Sequence, residues 1–166
     1  ELAAKIRSLK VHGAGSDKYN HIYVGLNSRL DTLQAAILLE KLKIFPKELE
    51  ARQNVANFYT SLLKDLVEVP FVNEGYLSSW AQYTIKVPPS KREKLMSFLK
   101  AQGIPTMIYY PLPLHLQPAY VKAGGRLGDA PQAETLANEV LSLPMHPYLT
   151  EDEITRVANA IQEGLR

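Results

Sequence analysis

The alternation of strand and helix patterns after residue 66 constrains the fold more than any other feature of the sequence. Strands are predicted at residues 67–70, 80–87, 106–109 and 141–144, and helices at residues 90–102, 131–140 and 150–165. Ser90 is predicted to cap the first of these helices and Gly103 to end it, while Thr150 and Glu153 have the spacing of a capping box. Short strands alternating with helices predict a compact α/β layer domain.

The first part of the chain is mostly helix and loop. A helix is predicted over residues 1–9, a second from Leu30 to near Pro46, and a third from Lys47 to about Leu66, because proline suits the first turn of a helix. The first helix begins with no cap before it. That start predicts a piece of a larger protein.

A polar turn precedes the helix that is predicted from Leu30. Ser28 and Asp31 have capping-box spacing, and free N–H groups at a helix start favour an anion. Asn27 supplies an amide donor there and Arg29 a guanidinium fork. The alternative is a well-capped helix start with no ligand. Residue pattern alone leaves both interpretations open.

Composition excludes several classes of protein. The 166 residues carry a net charge of +2, which argues against a dedicated nucleic-acid binder. There is no cysteine, so disulfides, thiolate metal sites and cysteine nucleophiles are excluded. His12 and His21 are too loosely placed to indicate a metal site. No apolar run approaches the roughly 20 residues that cross a membrane, so a soluble cytoplasmic protein is expected without a membrane partner.

A second polar cluster lies in the proline-rich segment of residues 110–118 and just before it. Tyr110 and His115 occupy this segment, whose prolines predict an extended loop with no regular element, and Tyr109 ends the predicted strand before it. A stiff loop holds such side chains with little entropy to lose on binding. The alternative is a connection whose tyrosines only pack. His146, near the end of the chain, is interpreted as a turn residue.

Three segments, in order, resemble the motifs of the DegT/StrS-type sugar aminotransferases, which are fold-type I enzymes that use pyridoxal 5′-phosphate (PLP). The segments are GLNSRLDTLQAA at residues 25–36, YPLPLHLQPA at residues 110–119 and LSLPMHP at residues 141–147. The resemblance covers the whole chain. It is nearest to members that aminate 3-keto UDP-N-acetyl-hexose derivatives for surface polysaccharides.

The resemblance implies site residues and partners. It implies homodimers with shared active sites, in which Asn27 reaches the partner subunit's cofactor phosphate and Arg29 lies near the nucleotide-sugar. Tyr110 and His115 would lie in a substrate-facing loop, and Tyr109 stands where related chains often have histidine. The amino donor would be an amino acid such as glutamate.

The resemblance also implies that this chain is a C-terminal segment. The family's Schiff-base lysine and the aspartate that pairs with the PLP ring would lie upstream, so no catalytic residue is assigned here and the chain alone should be inactive. Lys10 is the one tempting substitute, and an exposed helix-end lysine is the preferred interpretation. Residues 1–66 would end the large domain with interdomain helices, and residues 67–166 would form the small α/β domain. Two alternatives remain: a non-catalytic dimerising module, and a small-molecule-binding regulator on the same fold.

Overall fold

The computed structural model describes residues 1–17 and 19–166, which form two compact units, Glu1–Phe45 and Pro46–Arg166. In the first unit, helix α1 spans Leu2–Leu9 and is followed by irregular chain. Two isolated β-bridges pair parts of that chain, one between Val11 and Asn27 and one between Ala14 and His21. Gly13 is the one buried residue among those described in this unit.

Helix α2 spans Thr32–Leu63 without interruption and contains Pro46. The prediction of two helices with Pro46 in the first turn of the second is therefore wrong. A proline inside a helix lacks the N–H that donates to the preceding turn, but it leaves the other bonds of the helix in place. The boundary between the two compact units lies at this residue.

The second unit contains the remaining helices and both strands. They are β1 (Tyr83–Lys86), α3 (Pro89–Ala101), α4 (Pro118–Val121), α5 (Pro131–Glu139), β2 (Val140–Leu143) and α6 (Glu151–Gly164). The strands are antiparallel, with Tyr83 opposite Leu143 and Lys86 opposite Val140. Two of the four predicted strands reduce to single bridges, Glu68 to Lys86 on one edge and Met107 to Ser142 on the other.

The core of the second unit lies between the strands and three helices. Its largest fully buried side chains come from α2, β1, α3, β2 and α6: Tyr59, Leu63, Tyr83, Ile85, Leu95, Leu99, Leu141, Ile154 and Ile161. Tyr59 stacks on Tyr83 with ring centroids 5.0 Å apart, and its hydroxyl donates to the Pro144 carbonyl at 3.1 Å. Burial raises the pKa of both phenols, so both are neutral hydrogen-bonding groups at neutral pH.

The predicted helix ends agree with the structure in some places and differ in others. Thr150 and Glu153 form the predicted capping box of α6. Gly103 follows α3 with a φ of +72° and ends it as predicted, because glycine adopts this conformation without a side-chain clash. Ser90 lies inside α3, whose N-cap is Pro88, so the predicted Ser90 cap is wrong.

The proline-rich segment contains more regular structure than predicted. A 3₁₀ turn spans Leu114–Leu116, and α4 follows directly after Gln117. Pro113 and Pro118 stand at the N-terminal ends of these turns, where a missing N–H costs no hydrogen bond. The prediction that the segment has no regular element is therefore wrong.

The fold class matches the prediction, an α/β unit preceded by a helical segment. The predicted boundary at residue 66 concerns the domains of a longer protein and stays a prediction. Within the described chain, the compact units divide after Phe45 because the second half of α2 packs in the core of the second unit. In the described residues, no helix is long and apolar enough to cross a membrane.

Candidate functional site

Asn27 is held by backbone pairing inside the first unit. The Ser28 N–H donates to the Lys10 carbonyl at 2.9 Å, and the His12 N–H donates to the Leu26 carbonyl at 2.9 Å. These bonds hold the segment that contains Asn27 against the end of α1. The position of Asn27 is therefore fixed by main-chain contacts, although its side chain is exposed.

Two glycines allow this close backbone approach. A Cβ atom on Gly25 would lie 2.2 Å from the Gly13 nitrogen, and one on Gly13 would lie 1.8 Å from the Tyr23 carbonyl oxygen. Gly13 also has a φ of +74°. Any larger residue at either position would push the two segments apart.

The structure brings Asn27 and Arg29 together. The Arg29 Nε donates to the Asn27 Oδ1 at 3.0 Å, and both side chains are exposed. This bond uses the amide oxygen of Asn27 and leaves its Nδ2 group available as a donor. Among the described residues, neither that Nδ2 nor the terminal nitrogens of Arg29 make a hydrogen bond or ion pair. The pair can therefore offer several donors to an anion.

The start of α2 is capped by a carboxylate of the chain itself. The Asp31 carboxylate accepts from the Leu33 N–H at 2.8 Å and from the Gln34 N–H at 3.4 Å, and the Asp31 carbonyl accepts from the Ala35 N–H. Asp31 is thus the cap itself, and the predicted capping box with Ser28 is wrong. A carboxylate at the helix end satisfies the free donors and repels a second anion.

Three other polar side chains of the first unit, those of Lys10, His12 and His21, lie outside the Asn27–Arg29 pair. Lys10 is the exposed C-cap of α1. The rings of His12 and His21 lie 6.4 Å apart, edge to face. Within residues 1–17 and 19–166, no three histidine, cysteine or acidic side chains are grouped closely enough to hold a metal ion.

In the second unit, Tyr109 and Tyr110 lie side by side on one cavity. Their rings are edge to face with centroids 5.6 Å apart. The cavity has a volume of about 600 Å³, and its other walls come from the proline-rich segment, α5 and the start of β2: Leu112, Pro113, Leu114, Gln117, Ala133, Leu136, Ala137 and Val140. An apolar cavity with two phenols and one amide is typical of a site for an organic ligand with a few polar groups.

His115 is engaged by a residue that sequence analysis did not single out. Its Nε2 lies 2.8 Å from the Glu134 Oε1, and both side chains are only 18% exposed. The same Oε1 accepts from the Gly128 N–H at 2.7 Å. Hydrogen bonds from His115 and Gly128 hold the pKa of the Glu134 carboxyl below its usual range, so the carboxylate is charged at neutral pH.

Glu134 and the α5 wall of the cavity were missed for a physical reason. Glu134 lies in the first turn of a helix that begins at Pro131, where an acid is common because it complements the helix dipole. Ala133 and Leu136 read as ordinary helix formers. Pairing across 19 residues leaves no periodic signal in one sequence.

His146 makes a local contact. Its Nδ1 accepts from the Tyr148 N–H at 3.2 Å, and both residues are exposed. The prediction of a turn residue is confirmed.

The chain therefore offers two candidate sites, an amide–guanidinium pair in the first unit and a tyrosine-lined cavity in the second unit. The chain belongs to the DegT/DnrJ/EryC1/StrS aminotransferase family, whose profile matches residues 1–162.

Several known relatives are similar to this chain over nearly its whole length. It is 46% identical to the "Pleiotropic regulatory protein" of Geobacillus stearothermophilus over 100% of this chain and 45% of the relative. It is 45% identical to the UDP-2-acetamido-2-deoxy-3-oxo-D-glucuronate aminotransferase of Pseudomonas aeruginosa over 97% of this chain and 44% of the relative. The solved structure of a DegT/DnrJ/EryC1/StrS aminotransferase from Brucella abortus superposes with a TM-score of 0.89 at 46% identity, covering 98% of this chain and 43% of the other.

The chain spans less than half the length of these relatives. Enzymes of this family use PLP, and a solved relative contains the cofactor in its amino form, PMP. The residues present fit part of such a group. The free Nδ2 of Asn27 suits a phosphate oxygen, whereas the Asp31-capped start of α2 does not.

Proposed function

We propose that the longer protein containing this chain transfers an amino group from an amino acid, glutamate, to a keto nucleotide-sugar, for amino-sugar or surface polysaccharide synthesis. The substrate is proposed to be a UDP-linked 3-keto N-acetylhexose. PLP is the cofactor, and it supplies an electron sink that carries the amino group between donor and acceptor. In this proposal the Schiff-base lysine lies outside these 166 residues, and the chain alone has no transaminase activity.

One observation carries this proposal. The 45% identity to an aminotransferase named for a UDP-linked 3-oxo sugar extends over 97% of the chain. The matched region therefore spans both the segment that contains Asn27 and Arg29 and the segments that form the tyrosine-lined cavity. The proposed substrate class follows that relative.

The residues of the first unit are proposed to bind anions. Asn27 donates its free Nδ2 hydrogens to the cofactor phosphate in the partner subunit of a homodimer. Arg29 keeps its terminal nitrogens for the diphosphate of the nucleotide-sugar, because a planar guanidinium binds phosphate oxygens in pairs. The hydrogen bond between Arg29 and Asn27 holds the two side chains next to each other.

Three residues of the second unit are also proposed to bind a nucleotide-sugar. Tyr109 and Tyr110 provide aromatic surface and hydroxyl groups at the cavity of about 600 Å³, and His115 adds an imidazole in the same segment. An apolar wall excludes water from a reacting carbonyl and strengthens the polar contacts inside. We place this reaction in the cytoplasm, where activated sugars are made.

A second candidate function is a regulator that binds a small molecule on the same fold. It is favoured by the 46% identity to a protein named as pleiotropic and regulatory. Such a protein would use the same donors and cavity to bind a nucleotide-sugar without transferring nitrogen. A dimerising module without any ligand is the weaker alternative, because it gives the cavity and the free donors no role.

A half-reaction separates these candidates. The longer protein is loaded with PMP and mixed with a UDP-linked 3-keto N-acetylhexose, and the cofactor absorbance is followed in a stopped-flow instrument. An aminotransferase converts PMP to PLP in one turnover and releases a UDP-amino sugar, identified by its mass. A regulator binds the sugar, seen by calorimetry, and leaves the cofactor spectrum unchanged. The matched control is the parent UDP-N-acetylhexose, which has no keto group to accept nitrogen.

A further inference from the structure

The contact between His115 and Glu134 joins two segments that form the same cavity. His115 lies in the 3₁₀ turn Leu114–Leu116, and Glu134 lies in α5. Leu114 and Ala133, their immediate neighbours in sequence, both line the cavity. The hydrogen bond at 2.8 Å therefore links the two segments that form the cavity walls.

Glu134 also holds the loop after α4. Its Oε1 accepts from the Gly128 N–H at 2.7 Å. The same loop also lies close to the backbone of His115, at Gly125. A Cβ on Gly125 would lie 2.3 Å from the His115 carbonyl oxygen, so only glycine fits there. The loop is thus closed over the backbone of His115 and fixed through the carboxylate that holds the His115 ring.

This geometry assigns the protons of His115. A charged carboxylate accepts hydrogen bonds only, so the Nε2 that faces it carries the hydrogen. In a neutral imidazole the other nitrogen, Nδ1, is then an acceptor. Within the described chain, Nδ1 of His115 has no hydrogen-bond partner.

We propose that Glu134 is a positioning residue, which fixes the His115 ring through Nε2 so that Nδ1 accepts a hydrogen bond from a hydroxyl or amide N–H of the nucleotide-sugar. This inference rests on the proposed function, since it requires that the segment of residues 109–117 faces that substrate. Glu134 itself does not touch the substrate. Its effect passes through His115.

A double-mutant cycle on the longer PLP-loaded protein tests the proposal. His115→Ala removes the acceptor, and Glu134→Ala releases the ring that presents it. Each change is expected to raise the KM for the UDP-linked 3-keto N-acetylhexose about tenfold, the effect of one lost hydrogen bond. The KM for the amino donor is expected to stay within about twofold, because the donor does not need this contact. Because Glu134 acts through His115, Glu134→Ala in the His115→Ala background is expected to raise the sugar KM no further.

Two variants separate positioning from simple stabilisation. Glu134→Gln keeps an oxygen that accepts from His115 and Gly128, so its KM for the sugar is expected within about threefold of wild type. Glu139→Gln is the matched control, an acid on the same helix whose carboxylate makes no hydrogen bond or ion pair among the described residues. It is expected to leave both KM values unchanged. A purely structural role of Glu134 would lower the melting temperature of Glu134→Ala while the sugar KM stayed at the wild-type value.

The outcomes are decisive. The proposal is overturned if Glu134→Ala leaves the sugar KM unchanged. It is also overturned if Glu134→Ala raises the sugar KM by the same factor in the wild-type protein and in the His115→Ala variant. If wild-type protein fails to aminate any keto nucleotide-sugar, the proposed function fails instead, and the tautomer remains measurable by ¹⁵N NMR of the histidine rings. The Nε2–H form is expected for His115 in wild type and a tautomer mixture in Glu134→Ala. The same tautomer ratio in both proteins would also contradict the proposal.

Discussion

Asn27 and Arg29 are the residues of the first unit that we propose to bind anions. They are four and two residues before Asp31, which caps α2, so they keep their donors free while the helix start is already satisfied. We therefore propose that anion binding by this segment depends on these two side chains and not on the helix dipole.

Substitutions at these two residues should separate cofactor binding from sugar binding. In the longer protein, Asn27→Ala is expected to weaken PLP retention, and Arg29→Ala is expected to raise the sugar KM with little loss of cofactor. A hydrogen bond to a charged group is worth about 1.5–3 kcal/mol, or roughly ten- to a hundredfold in affinity. Equilibrium dialysis of PLP and steady-state kinetics measure the two effects. If both variants kept the wild-type affinities for PLP and for the sugar, the two residues would only form the segment before α2 and would bind no ligand.

The cap residue gives a matched stability test. Asp31→Ala is expected to cost about 1 kcal/mol of unfolding free energy, because the Leu33 and Gln34 N–H groups lose their acceptor. Ser28→Ala is expected to cost less than half as much, since its side chain does not cap α2. Urea unfolding of the three proteins checks this. A larger loss for Ser28→Ala would restore the capping box that the spacing predicts.

At the scale of elements, helix ends decide how far sequence predicts structure. Thr150 and Glu153 form the predicted capping box, whereas Ser28 and Asp31 have a similar spacing and do not. The difference is that Asp31 is itself a strong N-cap residue, so the helix begins three residues later. Spacing alone cannot rank two competing caps.

The α6 capping box should make stability depend on pH. Hydrogen bonds from the Thr150 N–H and hydroxyl hold the pKa of the Glu153 carboxyl below its usual range. A depressed native pKa adds stability above the unfolded pKa of about 4.3 and loses it as pH falls through the native value. Glu153→Gln is therefore expected to be less stable than wild type at pH 7, with a difference that closes in acid. Urea unfolding at a series of pH values tests this, and a difference independent of pH would contradict it.

The strands and prolines show what tertiary contacts add. The best strand pattern gives β1, but the segments near Glu68 and Met107 pair through single bridges only. Both segments lie at an edge of the two-stranded sheet, where strand propensity alone does not decide how far pairing extends. Pro46 lies within a helix because residues on its C-terminal side pack into the core.

At the scale of the whole molecule, the two units differ in how much apolar surface they bury. Leu33 and Ile37 on α2 are 77% and 61% exposed, although apolar residues at this spacing form the buried face of most surface helices. The family and the fold class could be predicted from three ordered motifs. The cavity, and the Glu134 contact beside it, could not, since they join segments far apart in sequence.

This difference predicts uneven stability in the 166-residue chain by itself. Hydrogen exchange is expected to be faster in residues 1–45 than in Tyr83–Lys86, because few apolar side chains are buried in the first unit to oppose local opening. Mass spectrometry of exchanged peptides measures it. Equal protection in a demonstrated monomer would contradict the expectation.

The central claim is that this chain is part of an enzyme that moves nitrogen onto a nucleotide-sugar. The most direct measurement incubates the longer protein with PLP, ¹⁵N-glutamate and a UDP-linked 3-keto N-acetylhexose, and determines the mass of the recovered sugar. The account predicts a UDP-amino sugar that contains the ¹⁵N label and is lost in Arg29→Ala at low substrate. Recovery of the unchanged keto sugar from a protein that binds it tightly would contradict the account and favour the regulator.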